Sequence, residues 1–408
     1  MDRSFLGKSK MAGSSSQPIG LYVHVPFCER KCAYCDFASY AGREADIPHY
    51  VDAVVKEIAR RGTETGRLKV DTIFLGGGTP SLLDESMITR ILGAFHEAFS
   101  IEEHAEITCE CNPGTLGVNG NTNSSLPPPL FQSKTGVRSA SFVQTLRKAG
   151  VNRLSIGAQA RQERLLHMIG RIHRWEQVIA SVEIARDAGY ENINLDLMFG
   201  LPSQTISDLQ ATLDAAIALS PTHLSCYGLV VEQGTPIHRD IAAEKLVLPN
   251  ENVERDMYEL VRQTLIEHGF YQYEISNFAR DGYECRHNIH CWTRVPYLGF
   301  GCAAHSFFDE CRTMNPANLD AYLAGEEPQV EHISKEEARF ESLMLGLRMT
   351  RGVKDEDFTR MHGMTIREAF GDKLDRPIVA GLVKWYEEAL CLTRLGMDLQ
   401  NSVLVDLM

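Results

Sequence analysis

No apolar run in this 408-residue chain approaches the roughly 20 residues that a membrane-spanning helix requires, so no membrane span is expected. A surplus of positive charge is also missing: 41 Lys and Arg stand against 54 Asp and Glu, a net charge of -13. That balance argues against a phosphate backbone or an anionic membrane as partner, and no nucleic-acid binding is expected, although a local basic pocket is compatible with it. The pattern of a disulfide framework is absent too. The 11 cysteines are odd in number and scattered, and no secretory signal accompanies them. Thiols used in this way belong to a reducing compartment, where clustered cysteines serve as ligands or catalysts. The expected location is therefore cytoplasmic, with mitochondrion or plastid as the alternative. Residues 1–18, "MDRSFLGKSKMAGSSSQP", are Ser-rich and somewhat basic. Asp2 and the want of an amphipathic helix favour a disordered tail there over a targeting segment.

What is present is a rhythm. From residue 20, short β-rich runs at 21–25, 71–75, 106–110, 153–157, 193–197 and 223–227 alternate with helical patterns such as "HYVDAVVKEIARR" and "WEQVIASVEIARDAG". Strands separated by helices imply parallel pairing with helical crossovers, hence an α/β fold forming an open or closed barrel. The stretch at 117–136, rich in Gly, Asn, Ser and Pro, is expected to be a surface insertion. After about residue 236 the alternation weakens into a helical, loop-rich middle. An amphipathic pattern over "SKEEARFESLMLGLRMTRGV" then opens a small separate C-terminal domain. The expected organisation is a tail at 1–18, a barrel at 19–235, a connecting region at 236–333 and a mostly helical, winged-helix-like domain at 334–408.

The chemistry is concentrated in "HVPFCERKCAYCDF" (24–37), where Cys28, Cys32 and Cys35 follow the first strand. Soft thiolates at this density select zinc or an iron–sulfur cluster. A structural zinc site closes with four ligands, and the fourth here would be His24 or a distant residue. A [4Fe-4S] cluster also usually takes four cysteines, so three leave one iron free. Other strand ends carry Gly76, Gly77, Gly78 and Thr79 of "GGGTP", Glu110 of "TCECNPG", Gln159 of "SIGAQA" and Asp196 of "NLDLMFGLP"; Arg171 of "IGRIH" lies in a following loop. Singly, each carboxylate reads as a helix cap or surface ion pair, and the Gly-rich turn as a tight loop. Together they lie at the C-terminal face of the strands, where barrel sites cluster.

Cys-x3-Cys-x2-Cys with Tyr34 before the third cysteine resembles the radical S-adenosylmethionine (SAM) superfamily. The likeness runs from about residue 19 to 408 through "YVHVPFC", "GVNRLSIGAQ", "GRIH", "LDLMFGLPSQT", "YEISNFAR", "HNIHCW", "YLGFGCAAHS" and "GLRMTRGV". These are similar to the oxygen-independent coproporphyrinogen III oxidase-like family. The oxidase branch places a further cysteine two positions beyond the third. Here Asp36 and Phe37 follow Cys35, which is similar to the haem-chaperone branch.

The resemblance implies a partial (β/α)6 TIM-like barrel carrying a [4Fe-4S] cluster on Cys28, Cys32 and Cys35 with exchangeable SAM on the open iron. It assigns SAM to the Gly76–Thr79 turn, Glu110, Arg171, Asp196 and Gln159, with Tyr22 and Val230 lining the same pocket. It further implies haem as a bound group at His287, Asn288, Cys291 and Trp292, where Cys291 replaces the family tyrosine. Imidazole and thiolate are both competent axial ligands. Read alone, "CRHNIHCW" also fits a zinc site from Cys285, His287, His290 and Cys291, or ordinary loop histidines. Gly299-x-Gly301-x-x-Ala304 lacks the context of a dinucleotide fingerprint and reads as a close-packed turn, with His305 beside it as a second haem-side candidate. The expected partners are haem, a haem-accepting protein and an electron donor of the reduced flavodoxin or ferredoxin type or NADH, in a monomer or homodimer. The expected function is haem binding and transfer, without coproporphyrinogen III dehydrogenase activity. The rivals are porphyrinogen oxidation, another radical reaction, and a zinc-stabilised binding module.

Overall fold

A computed structural model describes residues 17–116 and 140–408. The expected insertion at 117–136, and the expected tail apart from residues 17 and 18, lie outside the described residues.

The first half is built from repeated strand–helix units. In order they are β1 (Ile19–Val25), α1 (Ile47–Thr65), β2 (Lys69–Gly77), α2 (Glu85–Ala98), β3 (Ser100–Cys111), α3 (Ala140–Lys148), β4 (Arg153–Gln159), α4 (Glu163–Met168), α5 (Trp175–Asp187), β5 (Asn192–Phe199), α6 (Ile206–Ala218) and β6 (His223–Gly228). β1 to β6 pair in parallel, each with the next. Side-chain alternation explains the layering. In β1, Leu21, Val23 and Val25 have no exposed surface and pack under the helices, while Gly20, Tyr22 and His24 face the other way, into the barrel. Helix α1 buries Tyr50, Val51, Val54 and Ile58 on one face, and α6 starts at a capping box in which Thr205 and Asp208 satisfy each other's backbone N–H groups.

The middle of the chain departs from the expected helical, loop-rich segment. It supplies α7 (Pro236–Ala242), α8 (Glu251–Glu267), β7 (Tyr271–Gln272), β8 (Asn277–Ala279), α9 (Arg286–Trp292), β9 (Tyr297–Phe300), β10 (His305–Phe308), β11 (Cys311–Met314), α10 (Leu319–Leu323) and β12 (Gln329–His332). These strands continue the same sheet on both sides, giving twelve strands in the order β12-β11-β10-β9-β1-β2-β3-β4-β5-β6-β8-β7. Among the described residues β12 and β7 are the edges of this sheet, so the barrel is open. Strands of two to four residues are too short to carry a readable period, which is why the pattern fades there.

A buried carboxylate ties this extension to the barrel. Glu57 of α1 accepts from Gly301 N–H (2.9 Å), Asn315 Nδ2 (2.8 Å) and the Tyr322 hydroxyl (2.8 Å). The Gly299–Ala304 stretch is indeed a close-packed turn. A Cβ at Gly301, where φ is +96°, would fall 2.1 Å from the Tyr50 hydroxyl.

The remainder comprises α11 (Lys335–Gly346), β13 (Val353–Lys354), α12 (Asp355–His362), α13 (Ile366–Phe370), α14 (Asp375–Val379), β14 (Val383–Tyr386), β15 (Ala389–Leu392), α15 (Arg394–Asp398) and α16 (Gln400–Leu407). It has its own core, with Leu343, Leu347, Phe358, Ile366, Leu390 and Val403 buried together over a three-stranded sheet.

Candidate functional site

The loop after β1 carries the three cysteines, all partly exposed. His24, named above as a candidate fourth metal ligand, is spent as a strut. Its Nε2–H donates to Ala38 O (2.8 Å), which leaves Nδ1 to accept from the Tyr22 hydroxyl (3.0 Å). Two of the sulfurs already receive donors: Thr79 Oγ1 points at Cys28 Sγ (3.6 Å) and Arg171 Nη1 at Cys32 Sγ (3.7 Å). Burial raises the Cys28 and Cys35 thiols above their ordinary range. Metal coordination overrides such a shift by deprotonating the thiol outright. Among the described residues no three His, Cys, Asp or Glu side chains converge on a single-ion position. A [4Fe-4S] cluster does not ask for that convergence, because each thiolate takes a different iron.

Beside this loop, at the C-terminal ends of the strands, lies a cavity of about 590 Å³. Glu110, Gln159, Arg171, Asp196, Gly78, Thr79 and Val230 are among the residues that line it. Glu110 accepts from Gly77 N–H (3.1 Å). Burial, followed by repulsion from Asp196, pushes its carboxyl up to about 8. Asp196 is also raised by burial, although donors from Asn194 (2.9 Å) and Ser155 (3.0 Å) counter the shift. Two carboxylates held at a cavity wall with that burden fit a ligand bringing an ammonium and hydroxyl donors, which SAM has in its methionine and ribose parts. Arg171 donates to Gly157 O (2.6 Å), so its guanidinium is fixed between the cavity and the cysteine loop.

Gln159 is aimed into the cavity by a break in register between β4 and β5 and takes φ +62°, an uncommon conformation for a residue with a side chain. The Gly-rich turn is demanded by packing. A Cβ at Gly77 would lie 2.5 Å from the His24 ring, and one at Gly78 2.6 Å from Val25 O. Neither Gly76 nor Gly77 lines the cavity.

Tyr22 departs from its expected place. It points into the barrel below the cavity rather than along its wall, with its ring 6.3 Å from Phe74 and 6.4 Å from His287. The alternation of β1 dictates this, since Tyr22 lies two residues before His24 on the same face.

The expected haem residues are at the other end of the barrel. All lie on α9, where His287 and Cys291 share a face at i, i+4 spacing. His287 is enclosed rather than open to a porphyrin. Its ring stacks on Phe74 at 5.2 Å, its Nδ1 is 3.0 Å from Thr72 Oγ1, and burial lowers its pKa to about 3. Burial pushes the Cys291 thiol up to about 11. Trp292 packs under the Arg348 guanidinium (4.4 Å), and its buried indole N–H has no hydrogen-bond partner among the described residues. Asn288 completes the same helix. His305 is exposed on β10 and, after burial, adds to the lowering of the His24 pKa.

Sequence reasoning missed the polar interior joining the two ends. Asn194, His223, Tyr273, Cys285, Glu106 and Arg153 are all buried there. Its signal was available, because "RLSIG", "INLDL" and "HLSCY" each place polar residues at alternate positions of apolar strands.

This fold and site define a radical SAM protein. Residues 22–216 match the model of the Radical SAM superfamily, and residues 333–399 match the HemN C-terminal domain. The chain belongs to the family of the curated proteins named heme chaperone HemW. It is 36% identical to the one from Bacillus subtilis over 94% of this chain and 97% of that protein. Against the one from Escherichia coli it is 32% identical over 95% of this chain and 97% of that protein. Among solved structures, coproporphyrinogen III oxidase (HemN) from Escherichia coli shares the fold, with a TM-score of 0.78 at 22% identity, covering 96% of this chain and 90% of that one.

Proposed function

We propose that this protein is a haem chaperone: it binds haem and passes it to an acceptor haemoprotein, with a [4Fe-4S] cluster on Cys28, Cys32 and Cys35 and SAM in the adjoining cavity. The observation that carries the reading is the end-to-end likeness to relatives named for that role. Asp36 and Phe37 after Cys35 agree with it, since the oxidase pattern would place a cysteine there.

When bound, a [4Fe-4S] cluster supplies one-electron chemistry at the sulfonium of SAM. The chain's own residues do the positioning. Glu110 and Arg171 would hold the methionine part, with Glu110 facing its ammonium, and Asp196 would accept from the ribose hydroxyls, with Gln159 nearby. The exposed Phe37 and Val230, each 65% accessible, border the same cavity. At the far end His287 and Cys291 would offer nitrogen and sulfur to haem iron if α9 left its seat, and Trp292 would supply an aromatic wall.

Haem titration of the anaerobically reconstituted protein, followed at the Soret band, tests the reading. Saturable one-to-one binding is expected, weakened in His287→Ala or Cys291→Ala. Absence of saturable binding in the unmodified protein would sink it.

A further inference from the structure

Between the candidate ribose carboxylate and the candidate haem helix runs an unbroken line of buried hydrogen bonds. Asn194 Nδ2 donates to Asp196 Oδ1 (2.9 Å), and Asn194 Oδ1 lies 2.6 Å from His223 Nδ1. His223 Nε2 lies 2.8 Å from the Tyr273 hydroxyl, which accepts from Cys285 N–H at 3.3 Å. Cys285 is the residue from which α9 starts.

The direction of every bond follows from chemistry. An amide oxygen can only accept, so His223 carries its proton on Nδ1. Burial keeps the ring neutral, so Nε2 is a bare acceptor and Tyr273 O–H donates to it. All donors therefore point toward Asp196, and the carboxylate at the end polarises the whole line down to the Cys285 amide.

The helix at the other end is able to respond because what seats it is a small set of bonds. Seated, it keeps His287 against Phe74 and Thr72. Its first amides are held by Glu106, whose Oε1 accepts from His287 N–H (3.1 Å) and whose Oε2 accepts from Arg286 N–H (3.1 Å). Unseated, it presents His287. Ribose hydroxyls donating to Asp196 compete with Asn194 for the same carboxylate, which weakens each bond down the line and loosens the grip of Tyr273 on Cys285.

We infer that the SAM cavity and haem site are positively coupled through Asn194, His223 and Tyr273, so that SAM releases α9 and tightens haem binding, and haem tightens SAM binding in return. The inference rests on the haem-chaperone reading and adds to it the regulation of the haem site. It also gives Tyr273, which touches neither ligand, a positioning role.

The test is a haem titration of the full-length protein with its cluster oxidised, so that SAM binds without being cleaved, in the presence and absence of saturating SAM. Wild type is expected to bind haem about fivefold or more tightly with SAM. Tyr273→Phe, which cuts the line and frees the Cys285 amide, is expected to bind haem equally tightly with and without SAM, at the level wild type reaches only with it. A merely structural role for Tyr273 would instead weaken haem binding in both conditions. Hydrogen exchange on unmodified protein supplies a readout independent of haem and of any variant: the Cys285, Arg286 and His287 amides should exchange faster when SAM is added. Saturable haem binding that ignores SAM overturns the coupling and leaves the chaperone reading standing, whereas no saturable haem binding in either condition overturns both. Coupling that survives Tyr273→Phe, or amides unmoved by SAM, overturns the route.

Discussion

At the C-terminal end of the strands, Glu110 faces a cavity with only the Gly77 N–H spent on its carboxylate among the described residues, and Gln159 is held in a conformation its backbone disfavours. At the N-terminal end, Thr72, Glu106 and Cys285 are spent on one another and on α9. Arg153, 2% exposed, sits amid the charges of both ends, near Glu106 and Cys285 below and Asp196 above. The contrast separates two ways of binding. A site with unspent polar groups is preorganised and receives its ligand in place. A site whose groups are satisfied must first give up those bonds, and its affinity is reduced by the fraction of time it spends closed.

The sharpest division between the ends comes from the cysteine loop. Cys32→Ser is expected to abolish the iron–sulfur absorbance and bound iron while leaving the α9 end intact. Iron analysis alongside the amide exchange of α9 checks this, and iron retained at the wild-type ratio would refute the assignment.

Glu106→Ala attacks the closed end alone. It strips acceptors from two backbone amides and a thiol, so we expect a loss of about 3 kcal/mol in unfolding by denaturant, with SAM bound somewhat more tightly, as reciprocal coupling to the release of α9 requires. A loss below about 0.5 kcal/mol would mean that Glu106 does not hold the helix.

The open end should be the pH-sensitive one. Because the Glu110 carboxyl is raised to about 8, it is largely protonated at neutral pH in the ligand-free protein, and binding an ammonium expels that proton. SAM affinity should therefore climb by up to about tenfold per pH unit as pH rises toward about 8, then level off. The sign for stability is opposite. The folded form holds a proton that the unfolded form releases at ordinary carboxylate pH, so Glu110 makes the ligand-free protein less stable as pH rises through that window. Glu110→Gln should flatten both profiles. An affinity that stays flat below pH 8 in wild type would contradict the assignment of Glu110 to the ammonium.

The smallest effect is expected from Thr72→Val, which removes one buried hydrogen bond to His287 Nδ1 at nearly constant volume. A cost of about 1 kcal/mol should appear in thermal unfolding, with faster exchange at the His287 amide. Exchange confined to the C-terminal end of the barrel instead would break the contrast.

The two ends also differed in how well the sequence announced them. The six strand–helix units were legible because each element is long enough to display its period, as in α1 with Tyr50, Val54 and Ile58 under one face. The strand-end residues Glu110, Gln159 and Asp196 were legible by position, and the resemblance gave them roles. What sequence could not convey was direction. Nothing in "HNIHCW" says that His287 points inward onto Phe74, since that depends on which end of the barrel the short helix covers. Tyr22 was misplaced for a related reason: its proximity to the cysteine loop in sequence conceals that strand alternation aims it down the barrel. The Asn194–His223–Tyr273 line draws on segments far apart in the chain and emerges only when β5, β6 and the turn after β7 are brought together.

The placement of β9 bears on how the chain is made. β1 is flanked by β2 on one side and by Tyr297–Phe300 on the other, and Glu57 of α1 finds its partners at Gly301, Asn315 and Tyr322. During synthesis β1 therefore keeps one bare edge until about 270 further residues have followed it. At about 5–20 residues per second that wait lasts tens of seconds. Throughout it, a strand carrying Leu21, Val23 and Val25 is open to mispairing with other chains. The barrel that shelters the cysteine loop is thus sealed late, by residues from the far side of the molecule, and a nascent chain halted before Tyr297 should be the form most in need of a folding helper.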